Sequence, residues 1–588
     1  MRIRSIACVL FLSLLACAKS SPPQTLPQIF EGYWEENLQL NPLLATDVGD
    51  PRYNDQLPNF LGEEFRSKRL AFNQKWRERV SAQELSRLSP QDQLSAQLFI
   101  RQLDQDIEAE RFPAHLQPID QFNSPHQDFA QLGSGSSAQP FKTVKDYDDW
   151  LKRAGQIPAL FDQAIANMRE GMTKAVVQPR VLMDKVLPQL DALIVKDPTK
   201  SIFYQPIANL PSQFSAEDKA RLTSAYTALI RDSLTPAYQR LREFIHSDYL
   251  PKTRSTVGLD ALPQGADWYG FRVRAITTTD LTPAQIHQIG LDEVARIHAE
   301  MRKVIAAQGF KGDLQAFFKF LDTDKRFEFK SEAALLAYYN GLREKVDRGA
   351  DRLFSLKPKA GFEIRPVEAF RNKSAAGGSY QMPSEDGTRP GIFYVNTYDL
   401  PSRKTWDAED LYLHEAIPGH HFQIALQQEL TELPKFRRFG RFTAYIEGWA
   451  LYTESLGKEL GVYQDPYDYF GYLQNELWRA IRLVVDTGLH SKGWTRQQVI
   501  DYMLANSAQS ETQAVSEAER YMAIPGQALA YKLGELKIKA LRAKSEKILG
   551  ARFDIREFHK EILKDGAVPL DVLEQKIEQW IEVLREKS

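Results

Sequence analysis

The sequence predicts a mainly α-helical protein with a small β segment, and three observations predict it. Apolar residues recur at three- and four-residue spacing along most of the 588-residue chain, the period of an amphipathic helix. Several stretches open on serine or threonine followed by proline or an acidic residue, the mark of a helix start. One interval, 362–396, holds Gly377, Gly378, Pro383, Gly387, Pro390 and Gly391, too many breakers for a helix.

The chain begins with a leader. Arg2 and Arg4 supply a positive end, and 6–16 is an apolar run too short to span a bilayer. Leu14-Leu-Ala-Cys17 resembles a bacterial lipobox, in which the cysteine becomes the lipidated first residue; an ordinary cleavable signal is the alternative. We expect a signal peptide over 1–17 and lipid attachment at Cys17. Ala18 and Lys19 bring no acidic retention residue, so the expected address is the outer membrane, facing the periplasm. Cys8, the only other cysteine, also lies in the leader. The mature chain is therefore expected to hold no disulfide and to stand on its core alone.

Apolar content of 43% and charged content of 26% are those of a globular protein. A net charge of −2 gives no reason to invoke nucleic acid or an anionic membrane surface. Contact with a membrane is expected through the lipid anchor only. Helices are expected over 28–40 and 65–84. Ser89-Pro-Gln-Asp92 is a start signal, 143–170 a long amphipathic stretch, and 217–246 a long helix opened by Ser215. Thr282-Pro-Ala-Gln285 opens another. The loop of choice is 123–140, rich in glycine, serine and proline. No internal repeat is found. Length alone allows several domains; we expect an N-terminal helical region over 18–250 and a metal-site region over 251–588.

Within 362–396, Gly391-Ile-Phe-Tyr-Val-Asn396 has the branched and aromatic content of a strand. An edge strand there could bind an extended peptide by main-chain hydrogen bonds; a surface hairpin is the plainer reading. Shortly after it comes Leu411-Tyr-Leu-His-Glu-Ala-Ile-Pro-Gly-His-His-Phe-Gln423, with three of the ten histidines. Imidazole is a good zinc ligand, and Glu415, directly after His414, is placed to take a proton from metal-activated water. In the metallopeptidase pattern His-Glu-x-x-His the second histidine follows at i+4. Here that position is Pro418, so the second ligand is His420 or His421. A bulge at Pro418-Gly419 would bring His420 to the ion, and His420 is favoured. In a straight helix i+7 would return His421 to the face of His414, so His421 is the alternative, and a histidine-rich surface turn is the reading without a metal.

Thr443 to Glu454 reads as a helix with Glu447 and Glu454 seven apart, hence on one face. Glu447 is the expected third ligand, with Glu454 orienting a histidine ring from behind. Farther on, Arg482 is suited to clamp a carboxylate, and His490 to donate to a developing oxyanion. Pro525-Gly526 breaks a helix between Tyr521 and Tyr531. Tyr531 is the first candidate for a hydroxyl at the reacting carbonyl, and Tyr521 the second. Each of these also has an ordinary packing role as its alternative.

The blocks Tyr380-Gln-Met-Pro, Arg389-Pro-Gly-Ile-Phe, His414-Glu-Ala-Ile-Pro-Gly-His-His, Glu447-Gly-Trp-Ala-Leu-Tyr, Asp486-Thr-Gly-Leu-His and Glu519-Arg-Tyr with Pro525-Gly-Gln-Ala resemble the bacterial domain-of-unknown-function family 885. Leu262-Pro-Gln-Gly265 and the stretch 277–286 fit it too. Members are secreted, and many are lipoproteins. The resemblance covers nearly the whole mature chain. It implies a two-lobed helical fold around a deep channel, similar to the zincin-like zinc peptidases of the oligopeptidase and Taq-carboxypeptidase type, with a small sheet beside the site. It also adds Arg389 and Tyr380 to Arg482 and Tyr521 as expected substrate-binding residues. The expected function is zinc-dependent hydrolysis of short peptides, with one ion on His414, His420 and Glu447, and Glu415 as general base. The alternatives are a non-catalytic lipoprotein that binds peptide or metal, and a metal-dependent amidase on a non-peptide substrate.

Overall fold

Serine and threonine caps do start helices where the sequence puts them. In the computed structural model, which describes residues 24–586 apart from 123, 369–371, 373, 374, 386 and 388, Ser89 caps Pro90–Ala109 through the Asp92 amide. Ser215 caps Ala216–Leu229, and Thr282 closes a capping box with Gln285 ahead of Pro283–Ala307. The stretch 28–40 lies in Leu26–Leu40, and 65–84 begins inside Glu63–Ser81 but runs three residues past its end. The chain is mainly helical with one three-stranded sheet. The leader and Cys17 lie outside the described residues. Among the described residues no helix is long and apolar enough to cross a membrane.

Three expectations are corrected. The stretch 143–170 is two helices, Val144–Ala154 and Ile157–Thr173. Pro158 lacks an N–H and is tolerated only in a first turn, so the helix restarts there. Within 123–140, Pro125–Leu132 is helical, again with proline in the first turn. The strand Gly391–Val395 (β3, following β1 at Phe362–Pro366 and β2 at Gly378–Gln381) is not an edge. It lies between β1, to which it is parallel, and β2, to which it is antiparallel. All five of its residues are buried, as the middle strand of a covered sheet should be. The long helix over 217–246 is present, with π turns at Ile230–Leu234 and Ile245–Tyr249. The first precedes Pro236 and absorbs its missing hydrogen bond.

One apolar core joins residues from Leu57 to Leu250. A larger one gathers Val257 to Ile581, with Leu98 and Leu182 reaching in from the N-terminal half. The larger core contains the helix Thr443–Glu454 crossing Ala530–Leu549. That crossing is close because both partners are glycine there: a Cβ on Gly448 would run into the Gly534 backbone, and one on Gly534 into the Ala444 carbonyl. The approach sets the start of the second helix, with Tyr531, beside the histidine stretch.

Candidate metal centre

The helix Thr405–Glu415 ends one residue after His414. A new helix, His420–Glu429, starts at His420. The expected bulge is therefore a full break. Its physical cause is local: Pro418 cannot donate, and Gly419 passes so close to the Leu413 and His414 carbonyls that no Cβ fits. The Trp449 indole donates to the Pro418 carbonyl at 2.8 Å, and the Thr453 hydroxyl to Leu413 O at 3.1 Å. The glutamate helix thus holds the break in place.

This folding brings His414, His420 and Glu447 together, with one donor atom from each within 4.8 Å of the others. His414 Nε2 is 3.7 Å and His420 Nε2 3.4 Å from Glu447 Oε2. These distances are long for hydrogen bonds. They are close to ligand spacing: bonds of about 2.0–2.1 Å at tetrahedral angles put donor atoms about 3.3–3.4 Å apart. Glu447 Oε2 is buried and has no hydrogen-bond partner among the described residues, a costly state for a carboxylate without a cation. Burial raises the Glu447 carboxyl, but the two imidazoles outweigh it and hold the group well below the usual range. The donor set is that of a two-histidine, one-glutamate zinc site.

Glu454, one face-repeat along the helix, reaches the other side of the same ring. Its Oε1 accepts from His414 Nδ1 at 2.6 Å, which leaves Nε2 bare as a ligand atom. Burial lifts the Glu454 carboxyl to about 8, against the pull of Arg479 and a hydrogen bond with Asp410. Burial also raises Asp410, with Glu454 adding to it. The Tyr463 hydroxyl donates to Asp410 at 2.9 Å. Glu415 closes its helix beside His414 and is largely buried. No described residue hydrogen-bonds its carboxylate.

His421 is not part of the cluster. Its Nε2 donates to the Ala360 carbonyl at 3.0 Å and its Nδ1 accepts from the Tyr380 hydroxyl at 3.0 Å. Burial pushes the ring down to about 4, so it is neutral with both nitrogens engaged. The ring packs on Phe362 of β1 and ties the sheet to the helix carrying His420. A Cβ on Gly391 would lie 2.6 Å from the Tyr380 hydroxyl and 2.9 Å from His421 Nδ1. That is why β3 begins with glycine.

The other expected residues divide. Tyr531 lies beside the cluster, its ring parallel to that of His414 with centroids 6.5 Å apart. Its hydroxyl accepts from Gln527 at 3.2 Å and keeps its own proton to give. The Arg482 guanidinium lies 4.7 Å from the centroid of that ring, and Arg482 Nε donates to Tyr521 at 3.0 Å. His490 is engaged elsewhere: its Nδ1 accepts from the Leu259 amide and its Nε2 donates to the Tyr521 carbonyl, each at 2.9 Å. Burial lowers it to about 3. It pins three segments and has no free N–H for an oxyanion. Tyr380 and Arg389 line a separate cavity of about 280 Å³, which Asp47 and Ser136 also border. Reading the sequence missed Asp410 and Trp449. Asp410 lies one turn before His414 on the same face, the one signal that could have found it.

A family model described as "Bacterial protein of unknown function (DUF885)" matches residues 42–577. Two solved structures are similar over almost their full length. One is a "putative lipoprotein" from Colwellia psychrerythraea, 32% identical, with a TM-score of 0.89, covering 95% of this chain and 98% of the other. The second is a "putative lipoprotein of unknown function" from Shewanella oneidensis, 20% identical, with a TM-score of 0.72, covering 94% and 99%. No curated protein matches the chain.

Proposed function

The chain belongs to the bacterial DUF885 family, and we propose that it is a zinc-dependent peptidase acting on short peptides. The observation that carries this reading is the buried Glu447 oxygen, without a hydrogen-bond partner among the described residues and held at ligand spacing from two imidazole nitrogens, with the carboxylate of Glu415 on the residue after His414 and free of hydrogen bonds from any described residue. A site that only stores metal has no need of that carboxylate.

His414, His420 and Glu447 would hold the ion, and Glu454 fixes the tautomer of His414. Zinc bound there supplies Lewis acidity toward a carbonyl and lowers the pKa of water. Glu415 takes the proton from the attacking water and passes it to the leaving amine. The Tyr531 hydroxyl, its proton unspent, donates to the oxygen on which charge develops. The separate cores of 57–250 and of the C-terminal half support an arrangement of two lobes around the substrate, as in the helical zinc peptidases. The cavity of Tyr380 and Arg389 opens at their seam.

A defined peptide library incubated with zinc-loaded protein should yield truncated products. A chelator should abolish them and added zinc restore them. Equal cleavage in the presence of chelator, or none under any condition, refutes the peptidase reading.

The two solved relatives named as "putative" lipoproteins support lipidation at Cys17 and a place in the cell envelope; the outer membrane, facing the periplasm, is proposed from Ala18 and Lys19, which bring no acidic retention residue. Several acyl chains on one cysteine hold firmly where one chain holds weakly. Cys17→Ser should therefore move the protein from the membrane to the soluble fraction or leave it unprocessed. Unchanged processing and fractionation would refute the anchor.

A further inference from the structure

Next to the proposed metal centre lies a group of charges that the reaction as described does not use. It is built on the helix Glu511–Ala523 and the neighbouring Pro466–Ser491. Arg482 donates through Nη2 to Glu517 Oε2 at 3.0 Å and through Nε to the Tyr521 hydroxyl. The Tyr521 hydroxyl donates to the same Glu517 oxygen at 2.6 Å. Arg520 faces Glu517 Oε1 at 3.2 Å, and its guanidinium lies 5.5 Å from the Tyr521 ring centroid. One carboxylate is thus shared by two guanidinium groups. Asp486, on which Arg520 also acts, is spent on the Tyr269 hydroxyl at 2.6 Å and the Gly526 amide at 3.1 Å.

The count leaves one positive charge over, and it leaves donors over as well. Arg520 Nη2 is buried and has no hydrogen-bond partner among the described residues. Arg482 Nη1 likewise makes no hydrogen bond among them. A buried guanidinium with idle N–H groups and a surplus charge calls for an anion, and a planar two-oxygen anion fits its fork. Arg482 also covers the Tyr531 ring, whose other neighbour is His414.

We propose that Arg482 and Arg520 seat the free C-terminal carboxylate of the peptide, so that the enzyme works inward from that end as an exopeptidase. This rests on the peptidase reading above and deepens it. Reach sets the number of residues removed. The two ring contacts bound the guanidinium of Arg482 to within about 11 Å of the His414 ring, and a peptide advances about 3.3–3.6 Å per residue. Allowing for the ion and the carboxylate, one or two residues fit between the scissile carbonyl and the seat. A third does not. Water adds across that amide bond, giving a new carboxylate on the shortened peptide and a free amine on the one- or two-residue product.

The test separates binding from turnover. Zinc-loaded Glu415→Gln protein is titrated calorimetrically with an N-acetylated tripeptide as the free acid and as its C-terminal amide. The acid should bind about 10- to 100-fold more tightly, the range for hydrogen bonds to charged groups. Arg520→Gln should bring the two close to parity, and Arg520→Lys should restore part of the gap. Equal binding of acid and amide to the Arg520-intact protein overturns the seat without recourse to any further variant. So does a preference that Arg520→Gln leaves unchanged. With the active parent, mass spectrometry should find one or two residues lost from the C-terminus of free-acid peptides; internal cleavage of acid and amide at one rate overturns the inference. A preserved acid preference without any cleavage upholds the seat and refutes the peptidase reading.

Discussion

Glu415→Gln is expected to keep its zinc and lose peptide hydrolysis by about 10²–10⁴, the usual contribution of a general base. The substitution preserves the size and shape of the side chain and removes only its basicity. The three proposed ligands, the Glu454–His414 bond and the chain break at Pro418 are untouched, because no described residue hydrogen-bonds the Glu415 carboxylate. Metal content and rate therefore come apart in this variant. Zinc measured by elemental analysis alongside initial rates on one peptide checks it. A rate within a few-fold of the parent would show that Glu415 is not the base.

The second large effect is on metal content itself. His414→Ala, His420→Ala and Glu447→Ala should each leave the purified protein essentially free of zinc, since each removes one of three protein ligands. Glu454→Gln should act more mildly, weakening zinc by about 10- to 100-fold. It keeps a side chain of similar size but replaces the carboxyl that accepts from His414 Nδ1 with a weaker amide acceptor, so the ring is held less firmly. His421→Ala should retain zinc in full. Its expected cost is about 1–3 kcal/mol of stability, from an Ala360 carbonyl and a Tyr380 hydroxyl left without their partner. Zinc lost from His421→Ala and kept in His420→Ala would reverse the assignment.

Much of this was legible in the sequence because it depends on local chemistry. Ser89, Ser215 and Thr282 cap helices through amides three residues on, and a capping signal needs no tertiary context. Glu447 and Glu454 on one helical face follow from periodicity alone. The rest depends on what meets what in space. Nothing in the order of residues tells that His421, next to His420, turns its two nitrogens to Ala360 and Tyr380. Nor does it tell that His490 is consumed by the Leu259 amide and the Tyr521 carbonyl. The edge-strand reading of 391–396 failed for a related reason: whether a strand has a free edge is decided by its neighbours. Arg520 drew no attention because an arginine beside a glutamate in a helix usually makes an ordinary surface pair. Only the position of Glu517 between two guanidinium groups gives it meaning.

The central claim is that His414, His420 and Glu447 share one zinc ion, and anomalous diffraction from a crystal of zinc-loaded protein tests it most directly. The claim predicts a single peak at the zinc absorption edge, about 2.0–2.2 Å from His414 Nε2, His420 Nε2 and a Glu447 carboxylate oxygen. A fully loaded crystal with no peak between these three atoms, or with its peak on His421 or any other group, would contradict it.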